Sequence, residues 1–205
     1  MIPTRHVNSG RLPSLDPVLW KWINLNLRFA KRTEWRDCPW WYNERSSVGL
    51  LSAATWACGG LALEDYITRK ANTGIHRRGR CDLRIELGRM HFACEAKQLW
   101  FHFERRSFSP SQAIVGALNQ ACSDALNLNP SEGRRLGLCF ISSRVPISQS
   151  NQIDDYLAAL FDTINSIEWH ALAWCFPKAT RNLRAENNRC YPGAALLIKH
   201  ASRRP

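Results

Sequence analysis

The stretch from Arg80 to Leu87 constrains the fold more tightly than any other part of the sequence. Its residues alternate between apolar and polar without a break, and the apolar set is Cys81, Leu83, Ile85 and Leu87. Successive side chains of a strand point to opposite faces, so this pattern predicts a strand with one face in the core. Gly88-Arg89 then predicts a turn, and the apolar run His91–Leu99 predicts a second strand that pairs with the first in a hairpin.

Helix and strand patterns alternate through the rest of the chain. Helices are predicted at four places, which are after Asp16-Pro17, from an N-cap at Asn43 to Gly59-Gly60, from a capping box at Ser109–Gln112 to Asn129-Pro130, and over Gln152–Ile167. Further strands are predicted at Leu61–Arg69, Leu136–Ile141, Trp169–Phe176 and Ala194–Ile198. This order predicts an α/β fold with a mixed central sheet flanked by helices. We expect residues 1–42 to form a helical extension packed on the core, and residues 43–205 to form a single domain.

The charge of the chain favours a polyanionic partner. The formal net charge is +11, and Lys and Arg together number 28, of which only six are Lys. Arginine presents a planar fork that binds phosphate oxygens in pairs, so an arginine-rich surface suits nucleic acid, most simply DNA. The alternative is a basic surface that only keeps the protein in solution.

The cysteines and the apolar stretches predict a cytoplasmic protein with no membrane partner. None of the eight cysteines has a neighbour at the spacing of a zinc knuckle, and Cys81, Cys94, Cys139 and Cys175 lie within apolar runs. This pattern is typical of small buried side chains in a reducing compartment. The longest apolar stretch, Val48–Leu63, is too short for a membrane span.

Three polar residues on the predicted hairpin have the composition of a metal-dependent hydrolytic site. Asp82 lies on the first strand, and Glu95 and Lys97 lie two residues apart on the second, so the latter two share a face at about 7 Å. Two carboxylates suit Mg²⁺, with Mn²⁺ as a substitute, and the ion lowers the pKa of a bound water. A nearby lysine can orient that water or stabilise the transition state. The alternative is a plain cross-strand salt bridge among the three side chains.

The order of elements favours the hydrolytic interpretation, because here the sequence resembles the PD-(D/E)XK nuclease superfamily. The segment Arg80–Ile85 looks like its motif-Asp strand and Phe92–Gln98 like its ExK strand, although Cys81 stands where the family often has proline. The resemblance covers residues 43 to about 141. It implies a restriction-endonuclease-like core of order α-β-β-β-α-β, here with C-terminal α-β additions.

The same resemblance implies a Mg²⁺-dependent nuclease that hydrolyses phosphodiester bonds, in restriction, repair, mobile-element or host–phage conflict. The alternative is a catalytically silent relative that binds nucleic acid or a partner protein as a regulatory module. A homodimer or a complex with a partner protein stays open.

The resemblance also implies an additional acid on the helix before the first strand. Glu44 fits this role and adds a third metal ligand, although a glutamate in a first helical turn also suits the helix dipole. Glu64 is the competing candidate. Gln98 follows the motif lysine and is expected to support the site or to contact the substrate.

Basic residues flank the predicted site in sequence. Arg77, Arg78 and Arg80 lead into the Asp82 strand, and Arg105 and Arg106 follow the second strand by one loop. We expect these side chains to grip the substrate backbone. For each of them the alternative is a solvated surface loop.

Overall fold

The structure is a computed structural model that describes residues 4–72, 75–102, 109–181, 183–185 and 187–202. Within these ranges the side chains of residues 71–77 are not described. Of the predicted substrate contacts, Arg105, Arg106 and the side chain of Arg77 lie outside the described part of the chain.

All four predicted helices are confirmed. They are α1 (Asp16–Arg32), α2 (Glu44–Ala57), α3 (Pro110–Leu126) and α4 (Ile153–Asn165). Asn43 caps α2 as expected, because its side-chain oxygen accepts a hydrogen bond from the Ser46 N–H. The capping box predicted at α3 is wrong: the Ser109 side chain makes no capping bond, and its hydroxyl lies 3.4 Å from that of Ser111.

The strands are β1 (Arg5–Asn8), β2 (Leu61–Asn72), β3 (Ile75–Leu87), β4 (Met90–His102), β5 (Arg134–Pro146), β6 (Ala171–Cys175), β7 (Arg184–Ala185), β8 (Arg189–Cys190) and β9 (Ala194–His200). The main sheet has the order β1-β6-β9-β5-β4-β3-β2. In it β4 and β5 are parallel and the other neighbours are antiparallel. The short β7–β8 hairpin pairs with the end of β5. The predicted α/β class with a mixed central sheet is therefore confirmed.

The first 42 residues contribute to this sheet as well as to the helical layer. Strand β1 pairs with β6 from Arg5 opposite Cys175 to Asn8 opposite Leu172. Helix α1 packs against α2 and β6. The N-terminal segment thus supplies an edge strand in addition to the expected helix.

Helices cover both faces of the sheet. One core lies between the sheet and α1 and α2, with Trp22, Leu51, Leu83 and Phe140 among its buried members. A second core lies under α3 and α4. All eight cysteines are free and six of them are buried, which confirms their expected role as small apolar side chains. Over the described ranges, we find no helix that is both long and apolar enough to cross a bilayer.

Candidate active site

The main sheet forks beside the predicted catalytic residues. Strands β3 and β4 pair only from Leu83 opposite Cys94 to Leu87 opposite Met90. Past that point β3 continues against β2, and β4 continues against β5. The two strands therefore separate at Asp82, and we call the gap between them the fork.

The side-chain alternation of β3 shifts by one residue at the fork. Leu83 packs in the core below α1 and α2, whereas Cys81 packs with Ala125 and Leu128 at the end of α3. The prediction that Cys81 shares a face with Leu83 is therefore wrong. On the neighbouring strand, Asp65 adopts a left-handed φ of 47°, which indicates a local irregularity in β2 at the same level.

Where β3 no longer pairs with β4, two carboxylates accept hydrogen bonds from the backbone of β4. The N–H groups of Ala96 and Gln98 point to the same edge of β4, because residues two apart on a strand share an orientation. Asp82 Oδ2 accepts from Ala96 N at 2.8 Å, and Glu44 Oε2 accepts from Gln98 N at 2.9 Å. The fork thus places Asp82 from β3 and Glu44 from α2 side by side against one strand.

Glu95 and Lys97 extend from the same stretch of β4, and each has a partner that the sequence analysis did not name. Glu95 is 4% exposed, and its Oε1 lies 2.8 Å from Lys70 Nζ, which reaches across from β2. Lys97 Nζ lies 2.7 Å from Asp124 Oδ2 on α3. The plain cross-strand salt bridge considered above is therefore replaced by two separate pairs.

One of these missed residues left a signal in the sequence. Asp124 is the only charged residue in α3, where it stands between apolar positions at Ala121 and Ala125 that face the sheet. A lone acid so placed needs a cationic partner. Lys70 left no comparable signal, since it lies among other polar and basic residues near the end of β2.

Glu95 and Glu44 hold their protons more tightly than isolated carboxyls. Burial is the main cause that raises the pKa of Glu95 to about 7; the hydrogen bond from Lys70 opposes this rise, and the charge of Asp82 adds to it. Burial and then Asp82 also raise the pKa of Glu44. Negative charge is therefore crowded here, and a bound cation would relieve it.

The lysine of the site is held as a cation. Burial alone would lower the pKa of Lys97, but the hydrogen bond to Asp124 and the charges of Asp124, Glu44 and Asp82 outweigh it and raise the pKa overall. Lys97 therefore acts at neutral pH as a positive charge and hydrogen-bond donor. It does not act as a base.

A cavity of about 360 Å³ opens beside Asp82. Its lining residues are Glu44, Arg45, Val48, Glu64, Asp65 and Asp82. Glu64, the competing candidate, lies on β2 in this wall, close to Gly49 of α2. Of the two competitors, Glu44 accepts a hydrogen bond from the β4 backbone beside the predicted site, and burial and then Asp82 raise its pKa.

Gln98 acts as a support. Its Nε2 donates to Ser142 Oγ at 2.6 Å, and its Oε1 accepts from Ser47 Oγ of α2 at 3.1 Å. Ser142 Oγ in turn donates to the carbonyl of Trp40. The side-chain amide of Gln98 thus links α2, β4 and β5 by hydrogen bonds.

Beyond the fork, β2 and β3 stay paired from Tyr66 opposite Cys81 to Asn72 opposite Ile75, and we call this part of the sheet, which includes Arg80, the arm. The described basic side chains of the arm have different surroundings. Arg80 pairs with Asp65 on β2. Arg78 is exposed and lies opposite Arg69 in the register of the two strands. Like charges directly opposite each other repel, so an anion bound to this pair would stabilise the arm.

The acids of the fork fit a metal ion by the type of their donor atoms, and not by an assembled set of ligands. In the described ranges, no three His, Cys, Asp or Glu side chains are grouped as metal ligands. The oxygen donors of Asp82, Glu44 and Glu95 are nonetheless the type that Mg²⁺ prefers. Glu44 and Glu95 have raised pKa values, mainly because they are buried and in part because Asp82 is near.

Comparisons of the chain with protein-family models, with curated proteins and with solved structures each find no match. The resemblance to the PD-(D/E)XK superfamily therefore rests on the motif residues and on the order of elements given above.

Proposed function

We propose that this chain is a Mg²⁺-dependent nuclease with a restriction-endonuclease-like core, acting on DNA. In this proposal Asp82, Glu95 and Glu44 hold the metal, and Lys97 serves the reacting phosphate. The observation that carries the proposal is the fork. There Asp82 and Glu44 accept hydrogen bonds from N–H groups of β4 that no longer face β3, directly beside Glu95 and Lys97.

The residues of the fork have distinct chemical tasks. A bound Mg²⁺ neutralises phosphate charge and lowers the pKa of a bound water. Lys97, fixed by Asp124, donates a hydrogen bond from Nζ to the oxygen on which negative charge builds in the transition state. Asp82 and Glu44 keep one oxygen each on the β4 backbone, which fixes the orientation of the other oxygen.

The charge of the chain supports a nucleic-acid substrate. The acidic cavity is embedded in a protein whose net charge is +11. Exposed Arg69 and Arg78 lie on the arm that leads away from the fork. Phosphates on this arm and a scissile phosphate at the fork would complement both charges.

A catalytically silent binding protein is the second candidate, and a specific observation favours it. Lys70 already pairs with Glu95, and Lys97 already pairs with Asp124, so both motif residues of β4 have a partner of opposite charge without a metal. Such a network would only stabilise the fork. Nucleic acid or a partner protein would then bind without being cut.

A cleavage assay separates the two candidates. The purified protein is incubated with linear, circular and single-stranded DNA in Mg²⁺ or in EDTA, alongside Asp82→Asn and Glu95→Gln. The exposed Glu168, whose change to Gln removes a carboxylate far from the fork in sequence, supplies a matched control. We expect cleavage in Mg²⁺ by the parent chain and by Glu168→Gln alone. Absence of cleavage on every substrate, or full activity of Glu95→Gln, would refute the nuclease proposal.

A further inference from the structure

A second concave surface includes Tyr42, which lies just before the N-terminus of α2. This groove has a volume of about 560 Å³, and we call it the aromatic groove. It is lined by Arg36, Trp41, Tyr42, Arg184, Ala185, Asn187 and Tyr191. Aromatic rings and arginines together make it chemically unlike the acidic cavity at the fork.

The rings of the aromatic groove form a connected platform. Trp41 meets Tyr42 edge-on at 6.0 Å and Tyr191 edge-on at 5.9 Å between ring centroids. Tyr191 also contacts Trp100 of β4, and the Arg144 guanidinium lies 4.8 Å from the centre of the Trp100 ring. Tyr42 is 46% exposed, so much of its ring is open to a ligand.

Positive charge lies at the same surface. The side chains of Arg36 and Arg184 are both exposed. Arg36 pairs with Glu34 at 2.8 Å, and both partners are more than 75% exposed (78% and 76%). An ion pair this exposed contributes little stability, so a phosphate can replace Glu34 as the partner.

Buried hydrogen bonds fix the aromatic groove relative to the fork. Gln98, next to Lys97, donates to Ser142, and Ser142 donates to the Trp40 carbonyl. The Trp40 ring N–H donates to the carbonyl of Tyr191 at 3.0 Å. Tyr42 itself precedes Glu44 by two residues. These hydrogen bonds therefore join the elements that carry the groove to the elements that carry the fork.

We propose that the aromatic groove binds an unpaired base of single-stranded nucleic acid, with the flanking phosphates at Arg36 and Arg184. This inference rests on the nuclease function proposed for the neighbouring fork. Bases in a duplex stack on one another and hide their faces, whereas unpaired bases stack on aromatic side chains. The substrate at the fork is then a single strand or a strand end that continues into the groove.

Binding of a labelled oligothymidylate and of a duplex of equal length, both in EDTA, tests this inference on the full chain. Tyr42→Ala is expected to weaken single-strand binding by about 5- to 100-fold, the value of one lost base stack. Duplex binding should not change. Tyr42→Phe keeps the ring and should bind like the parent chain. Trp56→Ala, which removes an exposed ring near the C-terminal end of α2, is the matched control.

The outcomes separate this inference from the nuclease proposal. Unchanged single-strand affinity in Tyr42→Ala, or equal losses for single strand and duplex, would overturn the groove assignment even if the protein cleaves DNA. A Tyr42-dependent preference for single strands in a protein that never cleaves would leave the groove assignment standing and refute the nuclease. If the parent chain binds neither oligonucleotide, as for a groove that takes a peptide, the groove assignment is refuted.

Discussion

The two halves of the main sheet use the backbone of their strands in opposite ways. In the closed half, β5 pairs with β9 in an unbroken ladder from Leu136 opposite His200 to Ser142 opposite Ala194. Residues 136–143 of β5 are all buried, and none of them is charged. In the forked half, the β3–β4 ladder stops at Leu83, and carboxylates accept the next two N–H groups of β4.

Under the proposed function, this difference assigns folding stability to one half of the sheet and reactivity to the other. Strand pairing in the closed half satisfies the backbone with neutral groups and buries large apolar side chains. At the fork the same backbone groups bind carboxylates that are crowded and partly buried, which raises the pKa of Glu95 and Glu44. The closed half should therefore determine folding stability, and the fork should determine activity and its dependence on pH.

The largest expected effect lies in the closed half. Phe140 is 2% exposed and packs against Trp22 at 6.4 Å between ring centroids. Phe140→Ala should reduce the free energy of unfolding by about 3 to 5 kcal/mol, because it removes apolar burial and leaves a cavity. Urea denaturation measures this loss. Val115→Ala, at a partly exposed position on α3, is the control and should cost far less.

The contribution of the fork to folding stability should change with pH in the direction set by the raised pKa of Glu95. The pKa of Glu95 is about 7 when folded and ordinarily 4.5, so the folded state holds the proton more tightly. This contribution to stability is fully present below about pH 4.5 and is lost as the pH rises through about 7. Glu95→Gln should therefore gain up to about 3 kcal/mol at pH 8, less any loss from the unpaired Lys70, and gain nothing at pH 4.5.

Denaturation of both proteins from pH 4.5 to 8 checks this sign. Glu168→Gln provides a control of opposite sign, because a hydrogen bond from Lys199 keeps the pKa of Glu168 below its usual value. If the stability difference between Glu95→Gln and the parent chain does not change with pH, the fork does not raise the pKa of Glu95.

A smaller effect, on activity, is expected from a change of Asp124, the residue that positions Lys97. Asp124→Asn removes the partner that raises the pKa of Lys97, so activity should fall at alkaline pH sooner than in the parent chain. We expect roughly a tenfold loss in kcat near neutral pH, which is less than the loss of about a hundredfold or more for a removed transition-state donor, because Lys97 itself stays in place. The pH profile of cleavage is the measurement, and Asp162→Asn on α4 is the control. A profile that keeps its alkaline limb would restrict Asp124 to a structural role.

The elements and the site were predictable from the sequence to different degrees. The alternation of Arg80–Leu87 and the N-cap at Asn43 are local signals, and the structure confirms the strand and the helix that they predicted. Strand β1 and the β7–β8 hairpin were missed, because segments of two to four residues are too short to show a period.

The fork itself left no local signal. The shift in alternation at Asp82 depends on how β2 and α3 pack around β3, so the strict pattern in the sequence wrongly placed Cys81 on the face of Leu83. The pairs of Lys70 with Glu95 and of Lys97 with Asp124 join separate elements, which spacing along the chain does not reveal.

The smallest expected effect concerns the basic arm beyond the fork. If Arg78 contacts a phosphate, Arg78→Ala should make the slope of log affinity against log salt concentration shallower by about one unit. Metal binding should be unaffected. Binding measured at several salt concentrations tests this. Arg45→Ala, which changes a residue of the acidic cavity, is the variant for comparison. An unchanged slope for Arg78→Ala would make this part of the arm a solvated surface.

A calorimetric titration with Mn²⁺ tests the central claim most directly, because the claim is that the fork is a metal site. The parent chain should bind Mn²⁺ at the fork, Asp82→Ala should abolish that binding, and Lys97→Ala should retain it, since a lysine cation is not a ligand. Circular dichroism checks that each variant is folded. Absence of Mn²⁺ binding by the parent chain, or equal binding by Asp82→Ala, would contradict the account.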